Sequence, residues 1–158
     1  MKINEIKKEF PIFKQKIKGK PLIYLDSANS SQKPKVVIDE ISRFYETEFS
    51  NVGRSVHTLA VKATNKFEET RDMVKSYINA KHREEIIFTK GATEAINLVA
   101  NTYGEKFIKA GDEIIVTELE HHSNYVPWHY LRVKKGVAIK FASVNDSGEV
   151  DINEFKKQ

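Results

Sequence analysis

At 158 residues the chain has the length of one ordinary domain, and a hydrophobic content of 40% supplies a core. It contains no cysteine, which excludes disulfides, thiolate metal sites and a cysteine nucleophile within these residues. The net charge is +4, yet only 5 of the 26 basic residues are arginine and the lysines are spread along the chain. Arg is the residue favoured for bidentate phosphate contacts, so this reads as a solvated surface and argues against nucleic-acid binding. No uninterrupted apolar run reaches the length of a membrane span, and "MKINEIKKEF" lacks the apolar centre of a secretory signal. A cytoplasmic location is expected, or an organelle matrix, with no membrane partner.

In chain order, "MKINEIKKEF" predicts a short amphipathic helix ended near Pro11, followed by a lysine-rich loop to residue 20. "PLIYLD" reads as a short strand and "SANSSQKP" as loop. Val37, Ile41, Phe44 and Tyr45 stand at helical spacing after Pro34, which predicts a helix to about Glu48. "SNVGRSVHTLA" then leads into the longest helix, striped by Ala63, Phe67, Val74 and Ile78.

From there the pattern alternates. Strand "EIIFT" precedes helix "ATEAINLVANTYGEKFI", whose inner stripe would be Ile96, Val99, Ala100 and Tyr103. Turn "KAGD", strand "EIIVT", a helix within "SNYVPWHYLRVKK" and strand "VAIKFASV" follow. Strands recurring with helices between them predict an α/β fold with parallel strands. Asp151 followed by Glu154 marks one more helix start, and the sequence stops less than two turns into it, so the chain is expected to be cut off rather than finished. The expected organisation is an N-terminal helix and loop over 1–20 and the first part of a larger α/β domain over 21–158.

Two stretches carry chemistry. In "FTKGATEAINLVA" a buried strand leads into Gly91, which permits a tight backbone approach, and a helix starts around Thr93. Free N–H groups and the positive dipole end there suit an anion, and the Thr93 hydroxyl adds a donor; Thr93 acting simply as a helix cap explains the spacing equally well. Neither G-x-G-x-x-G nor a Walker loop is present, which leaves the phosphate of a small cofactor as the specific reading. In "ELEHHSNYVPWHY", His121, His122 and His129 do not have zinc-site spacing. Adjacent side chains diverge, so at most one of His121 and His122 faces a given pocket. Ligands of open α/β sheets sit beyond the carboxyl ends of strands, where both stretches lie, so one histidine and the Thr93 loop can share a ligand. Two hydrogen-bonded loop histidines are the plainer alternative.

Taken together, "YLDSA", "SQKP", "VHTLA", "FTKGATEAINLVA", "GDEIIVTELEHHSNYVPW" and "INEF" resemble, in order and spacing, the N-terminal part of cysteine desulfurases of the SufS-like group in the class V aminotransferase family. The resemblance runs from about residue 4 to the last residue. It implies a fold type I transferase dependent on pyridoxal 5'-phosphate (PLP). Such an enzyme is a homodimer that takes sulfur from L-cysteine, leaving L-alanine and a persulfide that is passed to a sulfur-acceptor protein for iron–sulfur cluster assembly. By position it implies that Ala92 and Thr93 hold the cofactor phosphate. His121 would stack on the pyridine ring and aid proton transfer, His122 would back it from outside, and Asn124 would stabilise the loop. Ala28 and Asn29 would lie on the substrate side, and Arg54 near the active site at the dimer contact.

The sequence departs from that pattern at Gly53, where a histidine is usual, at Ser55, where a glycine is usual, and at Asn29, where alanine is common. The family's cofactor-bearing lysine in an S-x-H-K setting, the aspartate that pairs with the pyridine nitrogen and the sulfur-accepting cysteine have no counterpart here. The chain alone is therefore expected to be inactive. Its incomplete sheet is expected to leave unpaired edges and apolar surface, with aggregation or partial disorder in isolation. Two other readings stand beside this one: a catalytically dead or split-enzyme module that binds a partner chain, and a selenocysteine lyase fragment.

Overall fold

The computed structural model describes residues 3–158, and the chain divides into two units, Met1–Ile86 and Ile87–Gln158. In the first unit, helix α1 (Ile3–Lys8) ends before the 3-10 turn Pro11–Lys14. The predicted start of that helix at Met1 and Lys2 lies outside the described residues. The lysine-rich segment is a two-stranded hairpin rather than a loop, with β1 (Lys16–Ile17) antiparallel to β2 (Lys20–Pro21). Its central residues Lys18 and Gly19 have φ of 51° and 76°, the paired left-handed geometry of the tightest hairpin turns.

The strand expected over "PLIYLD" is confined to its first residue. Leu22 donates its N–H to the Gln15 carbonyl at 3.2 Å, and beyond it no ladder partner exists among the described residues. Ile23 and Leu25 stay 79% and 91% exposed. Helices α2 (Lys35–Thr47) and α3 (Thr58–Tyr77) follow closely the spans read from their periodicity. His57 caps α3 by accepting the Ala60 N–H on Nδ1 at 3.3 Å. Ala60 and Ala63 are buried, whereas Phe67 and Ile78 of the predicted stripe remain open.

Charge pairs organise this unit. Glu48, just past α2, accepts from Arg43 Nη1 at 2.8 Å and pairs with Lys66 of α3. The two cations hold its carboxyl down to about 2, Arg43 contributing most. Because the folded value is depressed, this pairing stabilises the fold above the ordinary glutamate value and is lost as pH falls through about 2. Unfolding free energy followed against pH in the wild type and in Glu48→Gln is expected to show a gap that is constant above about pH 5 and closes towards pH 2. A gap unchanged down to pH 2 would contradict the pairing.

The "EIIFT" strand does not form. After the 3-10 turn Arg83–Glu85 the backbone is extended at Ile86, and among the described residues no strand lies beside it to pair with. Arg71 donates to Ile86 O at 3.2 Å and to Arg83 O at 3.0 Å, while Arg83 is bound in turn to Asp72.

The second unit contains α4 (Ala92–Val99), a π-helical turn Ala100–Gly104, α5 (Glu105–Phe107), β3 (Glu113–Thr117), a 3-10 turn His122–Asn124, α6 (Val126–Lys135), β4 (Ala138–Ala142) and α7 (Ile152–Lys157). β3 and β4 run parallel, Glu113 opposite Ala138 and Thr117 opposite Ala142, with α6 as the crossover between them. Gly136, with φ 74°, ends α6 in the left-handed conformation that glycine adopts freely. Ala100, Leu131 and Val137 form the buried centre, with Ile108, Ile114 and Trp128 packed on it. The π-turn changes the phase of the helix: Ala100 and Gly104 are buried, while Val99 and Tyr103, expected on the inner stripe, are exposed. Asp151 caps α7 by accepting from the N–H groups of Asn153 and Glu154. Among the described residues no helix is long and apolar enough to cross a membrane, and no cluster of three or more His, Asp or Glu could hold a metal ion.

Candidate active site

Helix α4 and the His122–Asn124 turn lie side by side in the second unit, so the structure brings together the two stretches singled out by their chemistry. Gly91 immediately precedes α4 with an extended backbone, and a Cβ there would meet nothing within 4 Å, so the close approach expected at this glycine is not made by protein. Glu94 reaches back to accept the Lys90 N–H at 2.6 Å, which fixes the turn into the helix. Ala92 and Thr93 are exposed on the first turn of α4. The Thr93 hydroxyl has no hydrogen-bond partner among the described residues, so it does not cap the helix.

His121 precedes the 3-10 turn and is exposed. Its carbonyl accepts the Asn124 N–H at 2.8 Å, and its Nδ1 accepts the Ser123 N–H at 3.1 Å. The His121 and His122 rings stand 6.2 Å apart at 87°, so the two present different faces, as their adjacency requires. His122 instead lines a cavity of about 200 Å³ with Thr117, Glu118, Glu120, Tyr125 and Phe141. His129 points elsewhere, its Nδ1 buried and without a hydrogen-bond partner among the described residues.

A chain of side chains underlies the turn. Glu120 accepts from Thr117 Oγ1 at 2.8 Å and from Asn124 Nδ2 at 2.7 Å, and Asn124 Oδ1 accepts from Trp128 Nε1 at 3.0 Å. The amide of Asn124, and secondarily the Thr117 hydroxyl, hold the Glu120 carboxyl below the usual carboxylate range. Asn124 thus stabilises the loop by linking it to the indole that packs on the core. Glu120, Ser123 and Trp128 had not been singled out; the spacing of four from Glu120 to Asn124 and again to Trp128 is the signal that could have found the first and last.

Ala28, Asn29 and Arg54 belong to the first unit. Ala28 and Asn29 form an exposed turn in which Asn29 donates its N–H to Asp26 O at 3.2 Å and its amide to Asp26 Oδ2 at 3.3 Å. Arg54 is exposed, with no hydrogen-bond or ion-pair partner among the described residues. Beside it Gly53 has φ 132° and donates its N–H to Thr64 Oγ1 at 3.1 Å. The glycine freedom absent at Ser55 is therefore used two positions earlier. A residue with Cβ at 53 must take up a strained backbone, so Gly53→Ala is expected to cost about 1–3 kcal/mol. Hydrogen exchange across the first turn of α3 should report the loss; unchanged protection would speak against the strain.

These elements place the chain in the α/β class of fold type I PLP-dependent transferases, with part of the parallel sheet present. The profile of the aminotransferase class V family matches residues 23–158, and the chain belongs to that family. It is 51% identical over 150 residues to a cysteine desulfurase of Wigglesworthia glossinidia brevipalpis, covering 95% of this chain and 37% of that one. Among solved structures it is similar to the apo cysteine desulfurase of Thermococcus onnurineus NA1, with TM-score 0.87 and 37% identity over 99% of this chain. A cysteine desulfurase of Escherichia coli gives TM-score 0.76 and 31% identity over the same share. The chain spans 38% of the length of each of these two structures.

Proposed function

We propose that residues 1–158 are the N-terminal portion of a PLP-dependent cysteine desulfurase of the SufS-like group. Residues 1–20 would form an N-terminal extension and 21–158 the first part of the large domain. The observation that carries this reading is the uncommitted Thr93 hydroxyl on the first turn of α4, beside the turn that holds His121. An exposed helix start with a free hydroxyl fits a phosphate dianion, and a flat, exposed imidazole fits a pyridine ring. PLP supplies the electron sink when bound. Ala92 and Thr93 hold its phosphate, while His121 orients its ring and aids proton transfer. Ala28, Asn29 and Arg54 serve the side from which L-cysteine enters.

In this reading the complete enzyme is a cytoplasmic homodimer that leaves L-alanine and hands a persulfide to an acceptor protein for iron–sulfur assembly. One further reading is a split-enzyme module, in which a second chain supplies the cysteine and the lysine in an S-x-H-K setting. The test incubates the 158-residue chain with PLP and L-cysteine, alone and with a downstream segment carrying those two residues. Alanine is expected only from the complemented sample. PLP-dependent alanine from the chain alone would refute the proposed division of labour, and none from either sample would refute the desulfurase reading.

A further inference from the structure

The turn that holds His121 also determines which of its two nitrogens carries the proton, an inference that rests on the cofactor reading for its significance but not for its test. The Ser123 backbone N–H lies 3.1 Å from His121 Nδ1, and a backbone N–H can only donate. Nδ1 must therefore offer a lone pair, and the proton of the neutral ring sits on Nε2. Ser123 Oγ is also 2.9 Å from Nδ1; against an atom that is already an acceptor, the hydroxyl donates.

The opposite tautomer could give its Nδ1–H to Ser123 Oγ, but it would set that N–H against the Ser123 backbone N–H, donor against donor, and leave the backbone group unpaired. A second capping histidine shows the contrast: His57 Nδ1 receives only the Ala60 N–H, at 3.3 Å, with no hydroxyl hydrogen-bonded to it.

We propose that Ser123 is a positioning residue that holds His121 as its Nε2–H tautomer, its backbone N–H and its hydroxyl sharing the one Nδ1 lone pair, which leaves Nε2 as the one ring atom able to give up a proton. Ser123 touches neither substrate nor cofactor in this role and acts through the imidazole.

The test is nuclear magnetic resonance of the full polypeptide labelled with 15N histidine, recorded at a pH where the ring is neutral, before and after addition of PLP. His121 is expected to show the Nε2–H pattern alone. Ser123→Ala should move its Nδ1 resonance towards that of a less hydrogen-bonded acceptor, Ser123→Thr should restore it, and the His57 resonances should stay in place. A protonated Nδ1 in the wild type, or an Nδ1 resonance unmoved by Ser123→Ala, would overturn the proposal. A wild type that shows the lock while the chain complemented with its lysine-bearing downstream segment takes up no PLP would sink the cofactor reading and leave the lock standing.

Discussion

Replacing Leu131 by alanine is expected to remove about 2–5 kcal/mol of unfolding free energy, the largest stability effect of any single truncation in the second unit. Leu131 is 4% exposed at the centre of the cluster formed with Ala100 and Val137, and it packs under the π-turn. A Cβ built on Gly104 would stand 2.6 Å from Leu131 Cδ1. The glycine leaves room for a Leu131 methyl that a Cβ would push aside, and Gly104→Ala should lose about 1–3 kcal/mol to overpacking against a gain of about 1 kcal/mol in helix propensity. In the Leu131→Ala background the overcrowding vanishes and the same substitution should become neutral or stabilising. Urea unfolding in dilute solution, followed by the fluorescence of Trp128, measures all four corners of this cycle, since the indole packs on the cluster. Strict additivity would show that the two residues do not press on each other.

His121→Ala is expected to reduce PLP-dependent turnover in the complemented enzyme by about 100-fold or more, the range associated with a lost proton-transfer group. On the proposed function, two readouts separate the roles of the ring. Loss of the ring face should weaken PLP uptake, read by absorbance titration; loss of Nε2 should lower kcat at saturating PLP. Asn124→Ala leaves the ring in place but strips a donor from Glu120 and an acceptor from Trp128. It should therefore loosen the turn, at a cost of about 1–3 kcal/mol, and affect PLP uptake more than kcat. A His121→Ala enzyme with the wild-type rate at saturating PLP would remove His121 from the chemistry.

Local periodicity was a good guide where the chain satisfies itself. β3, α6 and β4 follow the alternation of "EIIVT" and "VAIKF" and the glycine stop at 136, because one parallel pair and its crossover are contained within those residues. It misled at "EIIFT" and "PLIYLD", which have strand composition. A strand is a pairing, and composition at residues 85–89 cannot reveal whether a partner strand lies beside them; among the described residues none does. The π-turn was hidden for a related reason: its advantage is the space that Gly104 leaves for Leu131, a contact invisible to a helical count along one segment.

At the candidate site, residue types with obvious chemistry were legible and their supports were not. His121 and Thr93 announce themselves by type and position. Ser123 and Glu120 look like ordinary turn residues until the hydrogen bonds are traced to the imidazole and the Asn124 amide.

The π-turn at Ala100–Gly104 has an evolutionary consequence. Such a turn closes its hydrogen bonds one residue further along than the α-helix on either side, so it holds one residue more than a regular turn would. The half bearing Ala92 and Thr93 and the half bearing Gly104 are thereby held at a fixed rotational offset from each other. Deleting a single residue between 100 and 104 would restore a regular helix and yet swing one half by about 100° relative to the other. The segment can therefore absorb substitutions more readily than changes in length, and a gap placed there in any descendant sequence would be a sign that the site, the core, or both had been abandoned.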